Sequence, residues 1–63
     1  MLSGDELWEW ASNTAKRYSV GIFYTLNQFE LQAALTDNHE MAMQNVERSF
    51  EDERKKKDTK EEN

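Results

Sequence analysis

The sequence predicts an all-α protein of two to three antiparallel helices, over about residues 4–18, 20–35 and 37–57. Apolar residues recur every three or four positions through most of the first 50 residues, a period typical of helices. Proline is absent and glycine occurs only twice among 63 residues. Helix-capping residues precede the two outer segments. The core must be small, because a 60-residue domain buries only about 60% of the surface of its unfolded chain.

The first helix is marked at both ends. Ser3 and Glu6 have the spacing of a capping box, in which each side chain bonds the backbone amide of the other residue. Lys16 and Arg17 near its end complement the negative pole of the helix dipole. The residues that recur at helical spacing and define one face are Leu7, Ala11, Thr14, Ala15 and Tyr18.

Two tryptophans lie on opposite sides of this predicted face. At about 100° per residue, Trp8 lies roughly 60° from the centre of the face and Trp10 roughly 100°. We therefore expect Trp8 to contribute to the core and Trp10 to lie at its edge, as an exposed anchor.

The second segment has two interpretations, and the conformation of residues 19–25 stays open. Apolar residues alternate from Val20 to Leu26, as in a short strand, but an isolated strand has no partner elsewhere in the chain. A helix over about 20–35 explains more residues, although the spacing of Thr25 and Gln28 also allows a start at Leu26. Such a helix is apolar on two opposite sides, one with Ile22, Leu26, Phe29 and Ala33, the other with Val20, Tyr24, Leu31 and Leu35.

The third helix is predicted to begin with Asp37 or Thr36 as its N-cap, with Glu40 completing a capping box. Its apolar face comprises His39, Ala42, Met43, Val46 and Phe50. Three acid-to-base pairs then follow at the favourable spacing of four residues: Glu51–Lys55, Asp52–Lys56 and Glu53–Lys57. We therefore divide the chain into one small helical domain, residues 1–50, and a charged extension, residues 51–63, whose last residues from Asp58 to Asn63 fray into a disordered tail.

Composition argues against several classes of function. The chain has no cysteine and one histidine, so we predict no metal site, no cofactor and no thiol chemistry. His39-Glu40 begins like a zinc-protease motif, but Met43 occupies the place of the second histidine. No pair of carboxylates or serine–histidine arrangement suggests a catalytic site, so we predict a non-enzymatic protein.

The location predicted from the sequence is the cytoplasm, away from membranes. The first residues are acidic where a signal peptide is basic. The longest uncharged run, Tyr18 to Phe29, is too short and too polar to span a bilayer. The formal net charge of −5 disfavours nucleic acid as a partner.

Seven aromatic residues in so short a chain are more than one small bundle can bury. Exposed aromatic and methionine side chains are typical of protein-binding surfaces. We therefore predict an acidic adaptor, regulator or inhibitor that forms a homodimer and binds a larger protein. The predicted protein-binding residues are Trp8, Trp10, Tyr24 and Met41.

Two alternatives come from other classes. The first is a DNA mimic whose carboxylates imitate phosphates: Asp5, Glu6, Glu9, Glu30, Asp37, Glu40 and Glu47. The second is a DNA-binding regulator, because residues 15–20 resemble the first helix and turn of a helix-turn-helix motif. In that motif the following helix presents polar and basic residues, whereas this chain has Ile22-Phe23-Tyr24 there.

Overall fold

The protein is a bundle of three helices. A computed structural model describes residues 2–62 of the chain, and the side chains of residues 2–56. Helix α1 spans Gly4–Tyr18, α2 spans Ile22–Thr36 and α3 spans His39–Glu62. No strand occurs within residues 2–62, so the predicted all-α class is confirmed. Helix α3 continues to Glu62, beyond the predicted end near residue 57. The side chains of the segment predicted to fray, 58–63, lie outside those described, and the domain boundary at residue 50 stays a prediction.

The helices run up, down and up. Helix α2 packs most extensively against α3, and α1 lies against both. The amide of Asn45 donates to Oε1 of Gln32 at 3.1 Å. Further along α3, the ring of Phe50 stacks on Tyr24 near the start of α2, at 5.8 Å between ring centroids. Residue numbers therefore increase along α3 in the direction in which they decrease along α2, so these two helices are antiparallel.

Helix α1 begins and ends as predicted. The backbone amide of Glu6 donates to Oγ of Ser3 at 3.2 Å, and the amide of Ser3 donates to Oε1 of Glu6 at 3.4 Å. The helix closes at Ser19, whose backbone is left-handed (φ 55°, ψ 46°). The amide of Val20 then donates to the carbonyl of Ala15 at 3.0 Å, the bond of a Schellman-type ending.

The second segment is helical from Ile22, so neither the strand nor the start at Leu26 is observed. Gly21 has extended backbone and occupies the N-cap position without a side-chain bond. Thr25 cannot cap a later start, because it is fully buried and its hydroxyl donates to the carbonyl of Gly21 at 2.9 Å. The first turn of α2 therefore closes four residues earlier than a cap at Thr25 would allow.

The N-cap predicted for the third helix was wrong. Asp37 has a left-handed backbone (φ 53°), and its amide donates to the carbonyl of Ala33, so it ends α2 instead of starting α3. Asn38 is the capping residue, because its Oδ1 accepts from the amide of Met41 at 3.1 Å. The hydroxyl of Thr36 is likewise engaged with α2, donating to the carbonyl of Gln32 at 2.8 Å.

The core is small and contains few large side chains. Its buried residues are Ala11, Thr14, Ala15, Thr25, Phe29, Ala42, Val46 and Phe50. The ring of Phe29 packs against Trp10 and His39, with centroids 5.6 and 5.5 Å away. Buried residues lie on the predicted faces of α1 and α3 and, with Phe29, on one predicted side of α2, whereas His39, predicted on the α3 face, is exposed.

Replacing Ser19 by glycine is expected to stabilise the protein. A left-handed backbone strains any residue with a Cβ atom, so Ser19→Gly should raise the free energy of unfolding by about 0.5–1 kcal/mol. The matched control is Ser12→Gly inside α1, which should lower it by about 0.5 kcal/mol. Urea denaturation followed by circular dichroism measures both. A lower midpoint for Ser19→Gly would show that strain at this turn is not significant.

Candidate protein-binding surface

Helix α2 has two apolar sides, and the bundle covers one of them. Phe29 lies on the covered side and is 4% exposed. On the opposite side lie Phe23, Tyr24, Leu31 and Leu35, which are 74%, 46%, 53% and 71% exposed. At 100° per residue these four fall within an arc of about 120°, centred roughly 180° from Phe29. We call these four residues the outer face of α2.

The neighbouring helices extend the outer face on both edges. Trp8 of α1 is 49% exposed, and its ring meets Phe23 edge-on at 6.3 Å between centroids. Met41 of α3 is 50% exposed. It lies one turn before Asn45, the partner of Gln32, which places it near the C-terminal end of α2, where Leu35 lies. The outer face together with Trp8 and Met41 is called the apolar surface below.

The apolar surface carries almost no charge. Glu30 is the single charged residue among the fifteen of α2, whereas α1 carries five charged residues over the same length. A solvent-facing helix side is ordinarily polar or charged, because water solvates it. Charged side chains are therefore concentrated on α1 and α3, and Glu30 is the one charge that α2 carries.

The structure exposes three of the four predicted binding residues: Trp8, Tyr24 and Met41. Trp10 is different, because it packs against the core cluster and its ring lies 5.6 Å from that of Phe29. Its Nε1–H donates to Oε2 of Glu47 at 3.2 Å. The expected placement of the two tryptophans is thus reversed, since the Trp10 side of α1 faces α3. The binding role assigned to Trp10 stays a prediction.

The sequence prediction missed Phe23, Leu31 and Leu35 as candidate binding residues. Leu31 and Leu35 were placed on the second side of α2, but that side was not identified as the exposed one. Phe23 fell between the two predicted sides. The scarcity of charge in α2 was the available signal, because a helix with one charged residue offers little for water to solvate on either side.

Two carboxylates of α3 hold α1 in place. Glu47 accepts from Trp10, and its Oε1 lies 3.7 Å from Nη1 of Arg17. One turn later, Glu51 accepts from the hydroxyl of Tyr18 at 3.0 Å. These bonds join α1 to α3 side by side, so Glu47 is engaged within the fold.

His39 lies beside a core residue. Its ring packs against Phe29, and it borders an open groove of about 680 Å³ that also includes Glu6, Asp37 and Glu40. Among the described residues, no group of three or more histidine, cysteine or acidic side chains is arranged to hold a metal ion. In the same part of the chain, no helix has the length and apolar character needed to cross a membrane.

Comparison of the chain with protein-family models, with curated proteins and with solved structures gives no match.

Proposed function

We propose that the protein is a small acidic, non-enzymatic interaction module of the cytoplasm, an adaptor, regulator or inhibitor that acts through the apolar surface. Its partner is a second copy of the chain or a larger protein. The observation that carries the proposal is the distribution of large apolar side chains. Among residues 2–56, six are about half exposed or more, whereas the buried ones are Phe29, Val46 and Phe50.

The area supports a binding role. At about 200 Å² for each large side chain, the exposed fractions of the six residues correspond to roughly 700 Å². The largest apolar patch on a typical monomer is about 300–600 Å², and larger patches mark interaction sites. Trp8, Phe23, Tyr24 and Met41 also belong to the residue types enriched where proteins meet.

Neither alternative gains specific support. Of the acids considered as phosphate mimics, Glu47 bonds Trp10, and Glu6 belongs to the capping box of α1. Helix α2 would be the DNA-reading helix of a helix-turn-helix protein, and Glu30 is its single charged residue. Such a helix offers no cation to phosphate or to base edges.

Affinity capture with matched glutamate substitutions tests the proposal. Leu31→Glu puts a charge on the outer face, whereas Gln44→Glu puts the same charge on an exposed position of α3 that is not part of that face. We expect proteins captured by the wild-type chain and by Gln44→Glu, including a differently tagged copy of the chain, to be lost with Leu31→Glu. Circular dichroism should show that both variants remain helical.

Salt separates this proposal from the DNA mimic. Binding through an apolar surface should change little between about 0.05 and 0.5 M salt, whereas binding through carboxylates should fall steeply, because salt screens exposed charges. Capture that is equal for the two variants and that disappears with salt would contradict the proposal.

A further inference from the structure

We infer that the apolar surface is covered by a second copy of the same chain, with the two α2 helices packed antiparallel across a two-fold axis. This inference rests on the proposed function and specifies which partner occupies the surface. Three properties of the surface support it: its area, its lack of charge, and its symmetry under an antiparallel arrangement.

The area matches that of a stable dimer. Complete burial of this surface, roughly 700 Å² on each copy, would give about 1,400 Å² in total, within the range of about 1,200–2,000 Å² for specific protein–protein interfaces. The core of a single chain is correspondingly poor, since three of the six buried hydrophobic residues among 2–56 are alanines. Small domains of this kind commonly gain the missing stability from a partner subunit.

Charge favours a second copy over a partner with a charged surface. Two chains that each carry −5 repel one another wherever their acidic faces meet. The outer face itself contains no charged residue, and Glu30, the one charge on α2, lies at its border, about 80° from its centre. A strongly basic protein would be attracted to the carboxylates of α1 and α3. The outer face has no carboxylate, and the equally uncharged outer face of a second copy is complementary to it.

The residues of the outer face suit an antiparallel pairing. Phe23 and Leu35 lie at its two ends, twelve residues or about 18 Å apart. A two-fold axis near the middle of α2 places Phe23 of one copy against Leu35 of the other, and Asn27 towards Leu31. A parallel pairing would instead oppose Asn27 to Asn27 within an apolar seam and align the two helix dipoles unfavourably.

The antiparallel pairing also separates the charged extensions. Because α3 runs antiparallel to α2, its C-terminal part extends past the N-terminal end of α2. In the proposed dimer the two extensions therefore point in opposite directions. A parallel pairing would place these two like sequences side by side.

Molar mass by light scattering after size exclusion tests the inference across a tenfold range of concentration. We expect twice the mass of one chain for the wild type and for Gln44→Glu. Leu31→Glu should weaken the dimer at least about 100-fold, because it buries an unpaired charge at the seam. A monomer at every concentration, or a dimer that Leu31→Glu leaves intact, would overturn the inference.

The orientation is tested by cross-linking, since the natural chain has no cysteine. We expect Phe23→Cys in one tagged copy to link to Leu35→Cys in another through a short thiol reagent, and each variant alone to link poorly. Efficient linking of Leu35→Cys to itself would indicate the parallel pairing and overturn the antiparallel arrangement.

The two proposals fail separately. If the chain is monomeric but captures a foreign protein that Leu31→Glu loses and Gln44→Glu retains, the dimer is wrong and the interaction module stands. If the dimer depends on Leu31 and no foreign protein is captured, self-association is what the apolar surface does.

Discussion

Phe50→Ala is expected to unfold most of the protein. The Phe50 ring is 4% exposed and lies between Tyr18 of α1 and Tyr24 of α2, with centroids 5.6 and 5.8 Å away, so it joins all three helices. Removing a buried phenylalanine ring costs about 3–5 kcal/mol. At about 0.05–0.15 kcal/mol per residue, a domain of this size has a total free energy of unfolding of only about 3–9 kcal/mol. Thermal and urea denaturation should show a weak transition or none.

Phe23→Ala is the matched control, because it removes the same ring from a side chain that is 74% exposed. Within one chain it should change the free energy of unfolding by less than about 1 kcal/mol. Both variants need measurement at several protein concentrations, since dimer formation through Phe23 adds a stability that depends on concentration. Equal losses for Phe50→Ala and Phe23→Ala in dilute solution would contradict the description of the core.

After Phe50→Ala, Trp10→Ala is expected to lower the free energy of unfolding most. Trp10 packs on Phe29 and donates to Glu47, so its removal takes away both a ring contact and one of the hydrogen bonds between α1 and α3. For a partly buried tryptophan we expect a loss of about 2–4 kcal/mol in the free energy of unfolding. Trp8→Ala should cost less than about 1 kcal/mol in dilute solution, because the Trp8 ring is 49% exposed.

Trp10→Phe separates the two contributions of this side chain. Phenylalanine keeps an aromatic ring against Phe29 but cannot donate to Glu47. We expect a loss of about 1 kcal/mol, the net value of one hydrogen bond. Denaturation curves of Trp10→Ala, Trp10→Phe and Trp8→Ala measure the order of their losses in the free energy of unfolding. A larger loss for Trp8→Ala than for Trp10→Ala in dilute monomer would show that the sequence-based placement of the tryptophans was right after all.

Dimer formation bears on how these variants should be compared. Substitutions at Phe50 and Trp10 act within one chain, so their effects should persist at every concentration. Substitutions at Phe23 and Leu31 act on the proposed interface, so their effects on stability should grow with concentration. The way each variant's loss of stability depends on protein concentration therefore distinguishes core residues from interface residues.

Local signals in the sequence were sufficient to predict the all-α class and the two outer helices, whereas the number of helices was left at two to three. The capping box of Ser3 and Glu6 and the spacing from Ala42 to Phe50 depend on neighbours within a few residues, and both are observed. The start of α3 was predicted wrongly, with Asp37 or Thr36 as the N-cap, although Asn38 is an equally good capping residue. The left-handed backbone of Asp37, which closes α2, decides in favour of Asn38.

The candidate surface was predicted only in part. The two apolar sides of α2 followed from periodicity, but periodicity does not say which side the other helices cover. Tyr24, on the second apolar side of α2, and Met41, off the predicted face of α3, were predicted as exposed. Phe23 and Leu35, the two most exposed large hydrophobic residues described, were not identified.

The sequence by itself determined the all-α class, the spacing of apolar residues along each helical segment, and a second segment too apolar for one small bundle. The tertiary structure decided how each helix is rotated against its neighbours, and with it which tryptophan is buried. The bond between Trp10 and Glu47 joins residues 37 positions apart. The physical reason is that helical periodicity fixes the angles between side chains on one helix, whereas rotation about the helix axis is set by contacts that form only when the helices pack.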